Sequence, residues 1–258
     1  KNMRKILIAW LMVFALFASP IVAQDISVEC SDTWSQHEFK DYPYYDLCYA
    51  EEIEAAEYVV WRLTRDEVLA PNVSRKNTFR PDPDISTGSA DLIDYKNSGF
   101  DRGHMCPNND RNYNNEAMSA TFLMSNMSPQ TPILNQQTWR TLESLTQALA
   151  RELGYIDVVV GPIFYTDKKD IKTIGPNKVG VPDAYFRLLV NKETGYLKAY
   201  IVPQNCDKIP PKDKGNSETY ERQVYMYECD LKAIEEATKL KFKMYFDSRN
   251  VVRYNYRK

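Results

Sequence analysis

The sequence predicts an α+β fold, with a mixed, largely antiparallel β-sheet flanked by helices. Two observations lead to this class. Segments rich in β-branched and aromatic residues, typical of strands, recur at residues 57–64, 157–165, 185–190 and 196–202. Helical periodicity is clear at 134–154 and weaker at 231–240, so strands and helices do not alternate as in a parallel βαβ sheet.

Composition and chain length favour one ordinary domain. The chain has 258 residues, of which 43% are hydrophobic and 26% are charged. These proportions exclude a disordered, collagen-like or coiled-coil protein. We find no internal repeat and no clear domain boundary, so the sequence predicts a single domain over residues 24–258.

The first 23 residues predict a secretory signal peptide. Lys1, Arg4 and Lys5 precede an apolar run at residues 6–18, and small residues lead to Ala23. The alternative is an uncleaved membrane anchor, but the run is short for a span of about 20 residues. We therefore expect cleavage after Ala23, a secreted or periplasmic protein, and no stable membrane association afterwards.

The remaining elements follow from local pattern in chain order. Residues 25–49 are polar and aromatic and predict an irregular segment, and proline and polar residues predict a loop at 71–88. A short helical turn is expected within 117–127. Leucine periodicity predicts the helix at 134–154, ended by Gly154. The strand at 157–165 is expected to break at Gly161–Pro162, and the strands at 185–190 and 196–202 to form a hairpin.

A cluster of polar groups at residues 99–104, which read GFDRGH, suggests phosphodiester chemistry. His104 can act as a general base near neutral pH, and Arg102 offers a planar donor fork for phosphate oxygens. Asp101 can orient a donor such as an imidazole N–H, and Gly103 lets the backbone turn. The alternative is a surface turn with an incidental histidine.

A second polar block, around the start of the predicted helix, strengthens the first. Residues 125–130 read SNMSPQ, and Asn135 and Glu143 follow. On a helix these two residues are about 80° and 12 Å apart, so they share one broad face. An amide oxygen with waters suits hydrated Mg²⁺. The alternative for Asn135 is a helix N-cap.

Together these blocks resemble the DNA/RNA non-specific endonuclease family, which has a ββα-metal active site. The DRGH signature stands at 101–104, the N-x-x-P-Q pattern at 126–130, LNQ at 134–136, and Trp139 and Glu143 follow. The resemblance covers about residues 57–202. It implies an endonuclease that hydrolyses DNA and RNA to 5′-phosphate and 3′-hydroxyl ends.

The resemblance also implies roles for individual residues. His104 would be the general base, Asn135 the direct ligand of one hydrated Mg²⁺ (or Mn²⁺), and Glu143 would hold metal waters. Phosphate or metal-water contacts would come from Arg102, Asn126, Gln130 and Arg75, with Arg80 competing for the role of Arg75. A homodimer is left open, and the alternative function is a catalytically inactive nuclease-like module that binds nucleic acid.

The net charge of the mature chain limits how it could bind a nucleic acid. Loss of residues 1–23 removes three positive charges and takes the net charge from −2 to −5, so a polyanion must be held by a local cluster of positive charges.

The five cysteines suggest a pairing. Export and local spacing favour Cys30–Cys48 and Cys206–Cys229 disulfides. Cys106 would then be a free thiol at the rim of the active site, or alternatively a small buried side chain. The absence of a CxxC pair, with only two histidines, argues against a zinc site.

Overall fold

The computed structural model of the protein describes residues 26–244, so the predicted signal peptide lies outside the described residues. Within this range the α-helices are α1 (Arg65–Leu69), α2 (Leu92–Tyr95), α3 (Asn115–Ala120), α4 (Arg140–Leu153), α5 (Ser217–Val224) and α6 (Leu231–Thr238). The strands are β1 (Ile26–Glu29), β2 (His37–Asp41), β3 (Asp46–Ala50), β4 (Ala55–Thr64), β5 (Asp101–His104), β6 (Met127–Gln130), β7 (Tyr155–Ile163), β8 (Thr173–Ile174), β9 (Val179–Gly180), β10 (Ala184–Asn191), β11 (Tyr196–Pro203), β12 (Glu228–Cys229) and β13 (Lys241–Met244).

A seven-stranded sheet forms the centre of the described residues. Its strand order is β12-β11-β10-β7-β4-β3-β2, and neighbouring strands pair antiparallel. The predicted hairpin is β10–β11, with Asn191 opposite Tyr196 at its turn. The α+β class with a largely antiparallel sheet is confirmed.

Helix α4 covers one face of this sheet. Its buried leucines Leu142, Leu145 and Leu149 recur at helical spacing and pack with Trp61 of β4 and Val160 of β7. Gly154 ends the helix with a φ of 96°, a conformation that favours glycine. The predicted helix is thus confirmed, although its first residues, Leu134–Trp139, form a π-helical turn.

The opposite face of the sheet carries a second core. Alternate residues of the same strands, such as Val159 and Phe186, point to this side. Ile26 of β1 and Ile234 of α6 cover them. Both faces of the central strands are therefore buried, which holds these strands rigidly beneath α4. Among the described residues, no helix has the length and apolarity needed to cross a membrane.

Two predicted elements were wrong. The segment at 25–49 is not irregular, because it contains β1, β2 and β3, and aromatic residues such as Tyr49 point into the core. Strand β7 does not break at Gly161–Pro162. The strand continues through both residues, and Pro162 pairs with Tyr185 of β10. Gly161 is needed there for close packing and not for a break, since a Cβ at this position would lie 2.3 Å from the Glu57 backbone oxygen.

The cysteines follow the prediction only in part. Cys30 and Cys48 form a disulfide, but Cys206 and Cys229 are free. Those two pack with different cores, on opposite faces of the sheet, so their proximity in sequence does not bring the sulfurs together. Cys106 is free, yet it is fully buried in the core below α4 rather than at a cleft rim. The buried alternative is the correct one.

Candidate active site

A β–β–α unit builds the site. Strand β5 pairs antiparallel with β6, with Gly103 opposite Ser128 and His104 opposite Met127. The π-helical turn and α4 follow β6 directly. Between these elements lies a polar cleft of about 500 Å³. It is lined by Arg75, Arg102, His104, Pro107, Asn108, Asn109, Asn135, Gln136, Gln137, Arg140 and Glu143.

His104 is held in the cleft with an unused nitrogen. Its ring lies 5.0 Å from the Phe122 ring and 5.6 Å from the Phe79 ring, centroid to centroid. Its Nε2 atom is buried without a hydrogen-bond partner among the described residues. Burial, with the positive charges of Arg75 and Arg102, lowers the pKa of His104 to about 3. The imidazole is therefore neutral at pH 7 and can accept a proton.

Arginines provide positive charge beside His104. The guanidinium of Arg102 lies 4.4 Å from the centre of the Phe79 ring, and its buried Nε has no partner among the described residues. Arg75 is exposed and is steadied by a 2.8 Å hydrogen bond from its Nε to Asn77 Oδ1. Arg80 instead donates to the backbone oxygens of Thr78 and Ser119 and does not line the cleft. Of the two competing arginines, the structure places Arg75 in the site.

Asn135 is oriented by Asp101. Its Nδ2 donates to Asp101 Oδ2 at 2.9 Å, and Gln136 Nε2 donates to the same oxygen at 2.8 Å. Because the amide nitrogen is used in this bond, the Asn135 Oδ1 atom remains as a ligand for a cation. The helix-cap alternative is not supported, since the π-helical turn has no side-chain cap. Asp101 orients these amides and not the imidazole suggested by the sequence.

Glu143 lies on α4, eight residues after Asn135, and also lines the cleft. Burial raises its pKa to about 7, although Arg187, Arg140 and Arg75 act in the opposite direction. Without a cation, this carboxyl group is thus only partly ionised at neutral pH. A nearby divalent cation favours the carboxylate form, so the residue suits a site that binds a hydrated metal.

Two predicted contact residues lie beneath the cleft instead of in it. Asn126 is fully buried and binds both the N–H and the C=O of Cys106, at 2.9 Å each, which fixes the chain just after His104. Gln130 is also fully buried, and a Cβ on Gly103 would lie 2.3 Å from its Oε1. Both residues therefore support the β5–β6 unit from beneath, and neither lines the cleft. The Gln130 Nε2 and Oε1 atoms have no hydrogen-bond partner among the described residues. Gly103 is needed for this close approach rather than for a turn.

Sequence reasoning missed several cleft residues, of which Arg140 is the clearest. It is exposed and lies three residues before Glu143, on the same side of α4. That spacing was visible in the sequence. Asn108 and Asn109 follow the DRGH segment closely, but only the path of the chain after Pro107 brings them to the cleft.

A separate cluster of metal-ligating residue types lies away from this cleft. One ligand atom from each of Cys30, His37, Cys48 and Glu57 lies within 4.8 Å of the others. The two sulfurs are joined in the disulfide, with an S–S distance of 2.01 Å. With both sulfurs bonded, this cluster lacks the thiolates that a zinc site needs.

The fold and the cleft together define a class of protein. An α+β domain whose β–β–α unit presents a neutral histidine, arginines and an amide oxygen in one polar cleft is a ββα-metal protein. The chain belongs to the DNA/RNA non-specific endonuclease family, whose sequence model matches residues 23–248.

The chain is also similar to individual nucleases. Human mitochondrial endonuclease G is 34% identical over 170 residues, which cover 62% of this chain and 57% of the human protein. Nuclease C1 of Cunninghamella echinulata is 31% identical over 185 residues, or 70% of this chain and 71% of that protein. The match thus spans little more than half the length of the human relative. A crystal structure of an EndoG/EndoGI complex superimposes with a TM-score of 0.68, covering 82% of this chain and 88% of that chain at 24% identity, and shows the same fold.

Proposed function

We propose that this protein is an exported, Mg²⁺-dependent endonuclease that hydrolyses phosphodiester bonds in both DNA and RNA. The observation that carries the proposal is the pairing of a buried neutral His104, whose Nε2 is unpartnered, with Arg75, Arg102 and Asn135 in one cleft. These groups match the needs of diester hydrolysis: a base for water and charge to neutralise the phosphorane. The products would carry 5′-phosphate and 3′-hydroxyl ends.

His104 has the protonation state that the reaction requires. As a neutral imidazole it takes a proton from the water that attacks phosphorus, while the P–O bond to the 3′ oxygen breaks and that oxygen takes a proton from a second water to leave as the 3′-hydroxyl. Its pKa of about 3 describes the protein without substrate. A phosphate anion bound between Arg75 and Arg102 offsets their positive charges and raises this pKa, which makes His104 a stronger base when the substrate is present.

The cleft residues fit a hydrated divalent cation. Asn135 Oδ1 would hold it directly, because Asp101 engages the amide nitrogen, and Glu143 would bind its water shell. When bound, Mg²⁺ or Mn²⁺ supplies positive charge that stabilises the extra negative charge of the transition state. Asp101 contributes by keeping the Asn135 side chain in one orientation.

The decisive experiment compares cleavage with and without a divalent cation. Supercoiled plasmid and a structured RNA are incubated with the purified protein in Mg²⁺, in Mn²⁺ and in EDTA. We expect nicking and linearisation of the plasmid and fragmentation of the RNA in either metal, and neither in EDTA until excess Mg²⁺ is restored. Fragments should accept a 5′ label from polynucleotide kinase only after phosphatase treatment, because their 5′ ends already carry phosphate.

Other outcomes would contradict the proposal. Binding of both nucleic acids without cleavage in any metal would identify an inactive binding module instead. Undiminished cleavage in EDTA would exclude the metal assignment. Export has its own test, because the mature protein recovered from the producing cells should begin at Gln24.

A further inference from the structure

A second groove continues from the catalytic cleft along α4. Its volume is about 460 Å³, and it shares Gln136, Gln137 and Arg140 with the cleft. The two cavities therefore adjoin at these three residues. We call this second cavity, which begins at Gln136, Gln137 and Arg140 and runs to Arg151, the α4 groove.

One wall of the α4 groove is a polar stripe of the helix. Arg140, Ser144, Gln147 and Arg151 line it at spacings of four, three and four residues, which places them on one helical face. Arg140 and Arg151 differ by only about 20° around the axis and by about 16 Å along it. The stripe is therefore a straight track that leads away from the catalytic cleft.

The opposite wall is the segment Pro210–Pro211–Lys212–Asp213 with Tyr220 of α5. Hydrogen bonds fasten this wall at both sides. Gln223 Nε2 donates to the Pro210 oxygen at 3.0 Å, and Tyr220 Oη donates to the Lys212 oxygen at 3.1 Å. On the other side, Thr141 of α4 donates to the Ile209 oxygen at 2.7 Å. The groove thus has two fixed walls.

The charge of the groove differs from that of the chain. Three cationic side chains, Arg140, Arg151 and Lys212, line it against the single carboxylate of Asp213. The whole chain carries a formal net charge of −2. A positive track on an acidic protein is the local cluster that a polyanion needs, since bulk charge does not attract one.

We propose that the α4 groove binds the sugar-phosphate backbone of the substrate on one side of the bond that is cleaved. This inference rests on the proposed function and adds the path of the strand. Phosphates would contact Arg151 and Lys212. Ser144 Oγ already donates to the Arg140 oxygen at 3.0 Å and Gln147 Nε2 to Asp110 Oδ1 at 3.2 Å, so the second amide N–H of Gln147 is the donor that these two residues add.

The test uses a double variant and a matched control. Arg151→Ala with Lys212→Ala removes two charges from the α4 groove and leaves every cleft residue in place. Lys169→Ala with Lys232→Ala removes two charges elsewhere, from lysine side chains that are 78% and 77% exposed. Each protein is assayed on a 20-nucleotide single-stranded DNA and on bis(4-nitrophenyl) phosphate, a diester too small to reach the groove.

We expect the groove variant to raise KM for the 20-mer about tenfold. The negative slope of log kcat/KM against log salt should become shallower by about 1.4, since each single-strand phosphate contact contributes about −0.7. Hydrolysis of the small diester should stay within twofold, which also shows that the variant is folded. The control variant should match the wild type on both substrates.

The outcomes separate the two proposals. If the groove variant keeps the control's KM and salt slope on the 20-mer, the α4 groove does not bind the strand, although the nuclease assignment stands. If the wild type hydrolyses neither substrate in Mg²⁺, the nuclease assignment fails and the groove assignment fails with it. Equal losses on both substrates would show a structural defect and would also overturn the groove assignment.

Discussion

The two histidines of the chain lie in opposite surroundings. His37, on the edge strand β2, has both ring nitrogens engaged: Nε2 lies 2.6 Å from the Trp34 oxygen, and Nδ1 lies 3.3 Å from Glu57 Oε2. His104, at the end of β5, has an unpartnered Nε2 and two arginines nearby. Both ring nitrogens of His37 therefore have partners, whereas His104 is neutral and its Nε2 is available to accept a proton. An unsatisfied polar atom is costly to bury, so the unpartnered Nε2 of His104, beside the unpartnered Nε of Arg102 in the same cleft, suits a group that is used in function.

The largest expected effect separates these two histidines. His104→Ala should lower kcat for plasmid nicking by about 10²–10⁴-fold, the usual contribution of a general base. His37→Ala should change kcat less than about threefold, because His37 contacts no cleft residue. Initial rates in saturating Mg²⁺ give the comparison. A His104→Ala protein that nicks plasmid at the rate of the wild type would remove the base assignment.

The next comparison concerns two asparagines near the starts of helical segments, Asn114 and Asn135. Asn114 caps α3 by accepting from the Ala117 N–H at 2.7 Å, whereas Asn135 donates to Asp101 and lines the cleft. Asn135→Ala should weaken the apparent affinity for Mg²⁺ by at least about 10–100-fold, the loss usual for residues that only support metal ligands, because Asn135 is assigned as a direct ligand. Asn114→Ala should leave this affinity unchanged and cost about 1 kcal/mol of stability. Mg²⁺ titrations and thermal melts measure the two quantities. The reverse pattern would make Asn135 the structural residue.

A smaller effect, on stability and not on catalysis, is expected for Glu143, and its size should depend on pH. Its pKa in the folded protein, about 7, exceeds the unfolded value of about 4.5, so the folded state binds more protons between these values. Glu143 therefore costs stability as pH rises through this window. Glu143→Gln should raise the melting temperature in EDTA by about 2–4 °C at pH 8, equivalent to about 1 kcal/mol, and by nothing near pH 4. Melts at the two pH values test this. An equal shift at both would show that ionisation of Glu143 is not involved.

The smallest effect is expected at Cys106. This thiol is fully buried, and burial raises its pKa well above the usual range. Iodoacetamide applied to the native protein should therefore leave Cys106 unmodified, and plasmid cleavage should not change. Mass spectrometry of the alkylated peptides provides the measurement, with the urea-unfolded protein as the control in which Cys106 reacts. Rapid alkylation of Cys106 in the native protein, with loss of activity, would instead show that this thiol lies at the rim of the cleft.

Local sequence determined much of this protein. Helix α4 follows from an apolar period of 3.6 residues, and Gly154 marks its end. The β10–β11 hairpin follows from two β-branched and aromatic segments that flank a turn at 191–195. The core of the candidate site was also accessible from the sequence: His104, Arg102, Asn135 and Glu143 stand in two short blocks whose residue types suit phosphodiester chemistry. These features depend on neighbours within a few residues, and such interactions can be read directly from the chain.

Tertiary structure alone decided which polar side chains face the cleft. Asn126 and Gln130 have the chemistry of contact residues, yet the β5–β6 pairing buries them, where Asn126 satisfies the backbone of Cys106. The fate of Cys206 depends in the same way on which face of the sheet its segment covers. The physical reason is that burial and hydrogen-bond satisfaction are set by contacts between residues distant in sequence. The path of residues 210–213 along α4, which forms the second wall of the groove, is likewise a product of the folded chain.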